Sequence, residues 1–194
     1  MKKSVDLNAA YQPKEFEFRN VAEVADILSR YPAGKQRSAT MPLLDLAQRQ
    51  LAEDGANATP PFGGWIPRAA MDKIAEIVDV PPVKVYEVAT FYSMYNLAPV
   101  GKYLVQMCTT TPCMLCGSGD IVKTCKSELG IHTGESTPDG MFTIVEVECL
   151  GACVNAPMVQ VNDDYFEDLT TDSMKQLLSD LKNGKEVTVG SQKG

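Results

Sequence analysis

The chain has 194 residues, of which 44% are hydrophobic and 22% are charged, and its formal net charge is −7. This is the composition of an ordinary globular protein, so it excludes a disordered chain. No apolar run approaches the roughly 18 residues that span a bilayer, so we expect no direct membrane insertion. Proteins that bind nucleic acid normally present a basic face, and the acidic balance argues against that class.

The first half of the chain has the pattern of a helical domain. Residues 1–19 are polar and mixed, which predicts an extended N-terminal arm. Over residues 20–98, apolar residues recur at helical spacing in four segments, and prolines lie at the segment boundaries. Residues 54–64 consist largely of small, polar and helix-breaking residues and predict a loop. We therefore predict a helical bundle over residues 20–98.

The second half alternates between strand and helix patterns, and we predict a separate domain over residues 99–185 and a C-terminal tail over 186–194. A right-handed crossover would make the first two strands parallel, whereas a tight turn would make the last two antiparallel. The predicted fold class is therefore α+β, with a thioredoxin-like domain built on a four-stranded mixed sheet. The predicted strands cover 103–107, 142–148, 158–161 and 165–166, and the predicted helices cover 119–130 and 174–181.

All six cysteines lie between residues 108 and 153. The N-terminus lacks the apolar segment of a secretory signal, so we expect reduced thiols rather than a disulfide framework. A cluster of reduced thiols indicates metal or redox chemistry. The cysteines are Cys108, Cys113, Cys116, Cys125, Cys149 and Cys153.

Two cysteine pairs follow the two predicted parallel strands. Cys108 and Cys113 come directly after the first strand, and Cys149 and Cys153 come directly after the second. Parallel strands end at the same edge of a sheet, so four thiolates are expected to meet there. Such a set accepts an iron–sulfur cluster or zinc. The small residues between Cys149 and Cys153 and the three threonines after Cys108 favour a cluster, because they allow hydrogen bonds to its sulfur atoms.

A third interpretation uses a different pair. Cys113 and Cys116 form a C-x-x-C sequence, which in a thioredoxin-like fold can be a redox-active dithiol. That interpretation leaves the other cysteines without a role. On the residues alone, the iron–sulfur, zinc and dithiol interpretations all stay open.

Several motifs resemble those of one family. Cys108-Thr-Thr-Thr-Pro-Cys113 and Val147-Glu-Cys149-Leu-Gly-Ala-Cys153-Val-Asn-Ala-Pro157 are similar to the thioredoxin-like 2Fe–2S subunit of NADH:ubiquinone oxidoreductase, respiratory complex I. In the first half, Met41-Pro-Leu-Leu-Asp45 and Val85-Tyr-Glu-Val-Ala-Thr-Phe-Tyr92 are similar to the same subunit. The resemblance covers roughly residues 15–185.

The resemblance implies that Cys108, Cys113, Cys149 and Cys153 hold one 2Fe–2S cluster, and that Cys116 and Cys125 are not ligands. It implies an electron-carrier subunit without a complete active site of its own, because FMN and NADH would bind the partner flavoprotein.

The expected partners are that flavoprotein and other peripheral-arm subunits. The expected location is the matrix side of the mitochondrial inner membrane or, alternatively, the cytoplasmic face of a bacterial membrane. The alternative functions are a diaphorase-type ferredoxin subunit of a soluble hydrogenase or formate dehydrogenase, or a four-thiolate zinc scaffold.

Overall fold

A computed structural model describes residues 12–193. The predicted arm lies partly within residues 1–11, which are outside the described residues. The chain divides into two compact units. The first contains residues up to 58 together with 63–99, and the second contains residues 59–62 together with those from 100 onward.

The first unit consists mainly of four helices: α1 (Val21–Ser29), α2 (Thr40–Ala56), α3 (Arg68–Val78) and α4 (Pro82–Phe91). The Asn20 side chain caps α1 by accepting a hydrogen bond from the backbone N–H of Glu23. Pro82 occupies the first position of α4, where a missing N–H costs no helical hydrogen bond. The apolar faces of the four helices share one core, to which Phe16 and Phe18 also belong.

The second unit is the mixed α/β structure that the sequence predicts. Its strands are β1 (Tyr103–Cys108), β2 (Phe142–Val147), β3 (Val159–Val161), β4 (Asp164–Glu167) and β5 (Gly190–Ser191). Its helices are α5 (Thr111–Leu115), α6 (Ser118–Leu129) and α7 (Thr171–Lys182). The strand order is β2-β1-β3-β4-β5. β1 and β2 are parallel, and β3 and β4 are antiparallel, as predicted.

The sheet has five strands rather than the predicted four. The additional strand, β5, lies in the region predicted to be a tail, and it pairs in parallel with β4. Lys193 secures this end of the chain, because its Nζ lies 2.7 Å from Oδ1 of Asp168. A two-residue strand has no alternation that a sequence pattern could reveal. The predicted loop over 54–64 also begins later, because α2 continues to Ala56.

A close backbone approach fixes the start of β1. Gly101 lies against Phe142, and a Cβ at this position would come within 2.5 Å of the Phe142 carbonyl carbon. The Gly101 N–H donates a hydrogen bond of 2.6 Å to Oγ1 of Thr143. Only glycine fits so close to a neighbouring backbone.

The core of the second unit lies between the sheet and helices α6 and α7. Its large, fully buried side chains include Phe142, Ile144, Phe166 and Met174. A smaller buried cluster, formed by Cys108, Cys113 and Met158, lies apart from this core. Within residues 12–193, no helix is both long and apolar enough to cross a membrane.

Candidate metal centre

The two cysteine pairs begin at the edge of the sheet where the carboxyl ends of β1 and β2 lie side by side. In the parallel register of β1 and β2, Cys108 is opposite Val147, so the two strands end side by side. The backbone N–H of Thr109 also donates to the Val147 carbonyl oxygen at 3.3 Å. Cys149 follows two residues after Val147. The pairing that the sequence predicts is therefore confirmed, and it brings the loops with the two cysteine pairs to one edge.

The first pair is buried. Cys108 is the last residue of β1 and is 2% exposed, whereas Cys113 lies within the short helix α5 and is 1% exposed. Pro112 near the start of α5 is compatible with its first turn, because the N–H that proline lacks has no helical partner there. Met158 belongs to the same buried cluster. The fold thus holds these two sulfur atoms away from bulk water.

The second pair lies on an exposed loop. The Sγ atoms of Cys149 and Cys153 are 3.6 Å apart, and both residues are exposed. Between them, Gly151 adopts φ of +90°, which L side chains rarely adopt, so this tight turn favours glycine. Cys153 begins a single turn of 3₁₀ helix that contains no buried residue. The two thiols are therefore held close together at the protein surface.

Hydrogen bonds and charge link the two pairs. A backbone group of Leu150, in the second loop, forms a hydrogen bond with the Cys108 thiol, and the Cys113 thiol also bonds to Cys108. Cys153 interacts electrostatically with both Cys108 and Cys113. These interactions bring the four sulfur atoms into one electrostatic environment.

The thiols differ in acidity. Burial opposes ionisation of Cys108, but hydrogen bonds from the Thr110 hydroxyl and from the Leu150 and Thr110 backbone lower its pKa overall. Burial and the neighbouring Cys108 raise the pKa of Cys113 to about 11. A hydrogen bond with Cys149 and, to a smaller extent, burial raise the pKa of Cys153. Thiols bind metal as thiolates, so a bound cation would displace protons from these cysteines.

The remaining two cysteines have other surroundings. Cys116 is exposed at the C-cap of α5. Cys125 is fully buried on the apolar face of α6, and burial raises its pKa to about 12. A deeply buried thiol of this kind behaves as a small apolar side chain.

Strand β4 supports the second loop through residues that sequence reasoning missed. The Tyr165 hydroxyl donates to the Leu150 carbonyl oxygen at 2.7 Å. The Asn155 side-chain amide donates to Glu167 at 2.8 Å, and the Asp168 N–H donates to the Asn155 carbonyl oxygen at 2.7 Å. These partners are 10 or more positions apart in the sequence, so no local pattern indicates them.

The arrangement suits a binuclear cluster, in which each iron atom takes two thiolates. It offers one buried pair and one exposed pair, together with hydrogen-bond donors near the sulfur atoms, which a charged cluster needs. In the part of the chain that the structure describes, no group of three or more His, Cys, Asp or Glu side chains has the arrangement of a ready-made site for a single metal ion.

Comparisons with known proteins agree with this chemistry. The family model for thioredoxin-like [2Fe-2S] ferredoxins matches residues 24–182. A mitochondrial protein from Dictyostelium discoideum, NADH dehydrogenase [ubiquinone] flavoprotein 2, is 53% identical over 185 residues, which are 95% of this chain and 70% of the relative. A subunit of the NADH-quinone oxidoreductase of Rickettsia bellii is 51% identical over 168 residues, which are 87% of this chain and 94% of the relative.

Among solved structures, an NAD+-reducing [NiFe]-hydrogenase in the air-oxidised state shares the fold. Its TM-score is 0.58 and its identity 17%, over 73% of this chain and 23% of the hydrogenase chain. At this low identity the likeness concerns the fold alone. The family match covers most of the chain and includes both cysteine pairs. The chain therefore belongs to the thioredoxin-like [2Fe-2S] ferredoxin family.

Proposed function

We propose that this chain is the electron-carrier subunit of the NADH dehydrogenase module of respiratory complex I. In this proposal Cys108, Cys113, Cys149 and Cys153 hold one [2Fe–2S] cluster. The observation that carries the proposal is the meeting of two cysteine pairs at one sheet edge, in a chain about half identical to subunits of NADH dehydrogenases.

In this proposal, one cysteine pair would bind the cluster from buried positions and the other from exposed positions. Cys108 and Cys113 would supply thiolates from buried positions, whereas Cys149 and Cys153 would supply them from the surface. Backbone and hydroxyl donors offset the negative charge on the thiolates. A bound cluster would exchange one electron at a time with a neighbouring redox group.

The electron partner that we propose is the flavoprotein subunit that oxidises NADH. Two connecting segments follow β1 and β2 and carry cysteines, namely 109–117, which includes the short helix α5, and 149–157. Neither of these loop segments contains a charged residue. Leu115 and Val154 lie in these loops and are 77% and 92% exposed. An uncharged apolar surface beside the site suits close contact with another protein, which short-range electron transfer requires.

The location follows from the same assignment. The relatives include a mitochondrial protein and bacterial proteins. We place this subunit in the peripheral arm of complex I, with other peripheral-arm subunits, on the matrix side of the inner membrane. The corresponding place in a bacterium is the cytoplasmic face. The diaphorase alternative is supported only by a likeness of fold.

Electron paramagnetic resonance tests the cluster assignment directly. Anaerobically purified protein is expected to be silent when oxidised and, after dithionite, to give a spin-half signal with an average g value below that of the free electron. Chemical analysis should find two irons and two labile sulfides per chain, the composition of this cluster type. A colourless protein containing zinc and no sulfide would contradict the proposal and favour a zinc scaffold.

The docking surface is tested by introducing charge. Leu115→Glu and Val154→Glu are expected to weaken binding of the flavoprotein subunit at least tenfold, or about 1.4 kcal/mol, because a buried unpaired carboxylate is costly. Binding is measured by calorimetry, and NADH-driven reduction of the cluster is followed in parallel. Val189→Glu is the control, since Val189 is 52% exposed in the same unit but outside the two loops. Unchanged affinity in both loop variants would place the partner elsewhere.

A further inference from the structure

Two adjacent threonines after Cys108 have different hydrogen-bond partners. Oγ1 of Thr110 lies 3.4 Å from Sγ of Cys108, within the range of a hydrogen bond to sulfur. Oγ1 of Thr109 instead donates to the Val147 carbonyl oxygen, also at 3.4 Å. The chain thus contains a hydroxyl that contacts a proposed ligand beside a hydroxyl that does not.

The chemistry of a metal-bound thiolate fixes the direction of the Thr110 bond. A thiolate has no proton to give, so Cys108 can only accept and Thr110 must donate. Cys108 is 2% exposed, which leaves little room for water to replace a lost donor. Within residues 12–193, no side-chain hydroxyl forms a corresponding hydrogen bond with Cys113, Cys149 or Cys153. Thr110 therefore provides a specific side-chain interaction at one of the four sulfur atoms.

We propose that Thr110 raises the reduction potential of the cluster by donating a hydrogen bond to the Cys108 sulfur. Reduction adds negative charge, and a hydrogen bond to a ligand sulfur stabilises the more negative state more strongly. Thr110 is thus a positioning residue. It acts through Cys108, because its hydroxyl donates to the Cys108 sulfur. This inference rests on the proposed function, because it requires a cluster held by Cys108.

The test compares the midpoint potentials of matched variants by redox titration followed by electron paramagnetic resonance. Thr110→Val removes the hydroxyl at nearly constant volume, and we expect it to favour the oxidised form about tenfold, which is ~59 mV for a one-electron couple. Thr110→Ser keeps the hydroxyl and should restore most of the potential. Thr109→Val is the control, since the Thr109 hydroxyl bonds to a carbonyl oxygen. The midpoint potential of the cluster in this variant should match that of the wild type.

The outcomes separate this inference from the proposed function. A wild-type protein without a [2Fe–2S] cluster contradicts the proposed function itself. An intact cluster whose potential is the same in Thr110→Val and wild type overturns only the role of Thr110, as does an equal shift in Thr109→Val. If valine prevents cluster insertion, Thr110→Ala removes the same hydroxyl with less bulk and decides the question by the same criterion.

Discussion

Replacement of Cys108 or Cys153 by alanine is expected to abolish binding of the [2Fe–2S] cluster. Each substitution leaves one iron with a single protein thiolate, and the proposed ligand set contains no spare thiolate to replace the one lost. Iron, labile sulfide and the spin-half signal of the reduced protein should all fall from about one cluster per chain to near zero. Circular dichroism would establish that each variant is folded.

The matched control is Cys116→Ser, because Cys116 lies only three positions after Cys113 and is exposed. It should keep the cluster at the wild-type level. Full cluster absorbance in Cys108→Ala or Cys153→Ala would show that the ligand assignment is wrong. A colourless Cys116→Ser protein would show that the ligand set includes a cysteine that we exclude.

The second large effect concerns the free energy of unfolding. We expect alanine to lower it at one glycine of the second unit and to raise it at another. Gly101→Ala would place a methyl group 2.5 Å from the Phe142 carbonyl carbon and 2.8 Å from the Phe142 Cα. Both contacts are with backbone, which cannot rotate away as a side chain can. Overpacking of this kind is expected to lower the free energy of unfolding by about 3 kcal/mol. Separation of β1 from β2 would also disturb the edge that positions the cysteines.

Gly119→Ala is the matched substitution. Gly119 lies in the first turn of α6, and no atom approaches within 4 Å of a Cβ at this position. Alanine there should raise the free energy of unfolding by about 0.5 kcal/mol, because glycine loses more backbone entropy on folding. Urea unfolding curves of the two variants measure both changes. A Gly101→Ala midpoint at or above that of Gly119→Ala would show that the backbone contact is not restrictive.

Periodicity and strand order in the sequence predicted the main strands and helices of the second unit. The predicted strand that begins at Phe142 and the helical spacing in 174–181 both correspond to elements of the structure, β2 and α7, although the first three residues of β2 are all buried rather than alternately exposed. Parallel pairing of β1 and β2 followed from the predicted helical crossover between them. This was sufficient to predict that two cysteine pairs meet at one edge.

The finer parts of the site depend on contacts that local sequence does not encode. The three threonines after Cys108 suggested hydroxyl donors as a group, but only the fold assigns Thr110 to sulfur and Thr109 to a carbonyl oxygen. The hydrogen bond from the Tyr165 hydroxyl to the Leu150 carbonyl oxygen joins residues 15 positions apart in the sequence. Helix α5 has five residues, too few for a helical period to be detected.

The short strand β5 has a consequence for the subunit before assembly. An open sheet edge is a template on which strands of other chains can add, and this is a common route to aggregation. On one side of the sheet, β5 covers the edge of β4 and is itself only two residues long. The Lys193–Asp168 ion pair and the bond from Ser191 to Asp168 hold it in place. On this side of the sheet, a newly made subunit therefore leaves only a two-residue strand free for pairing with another chain.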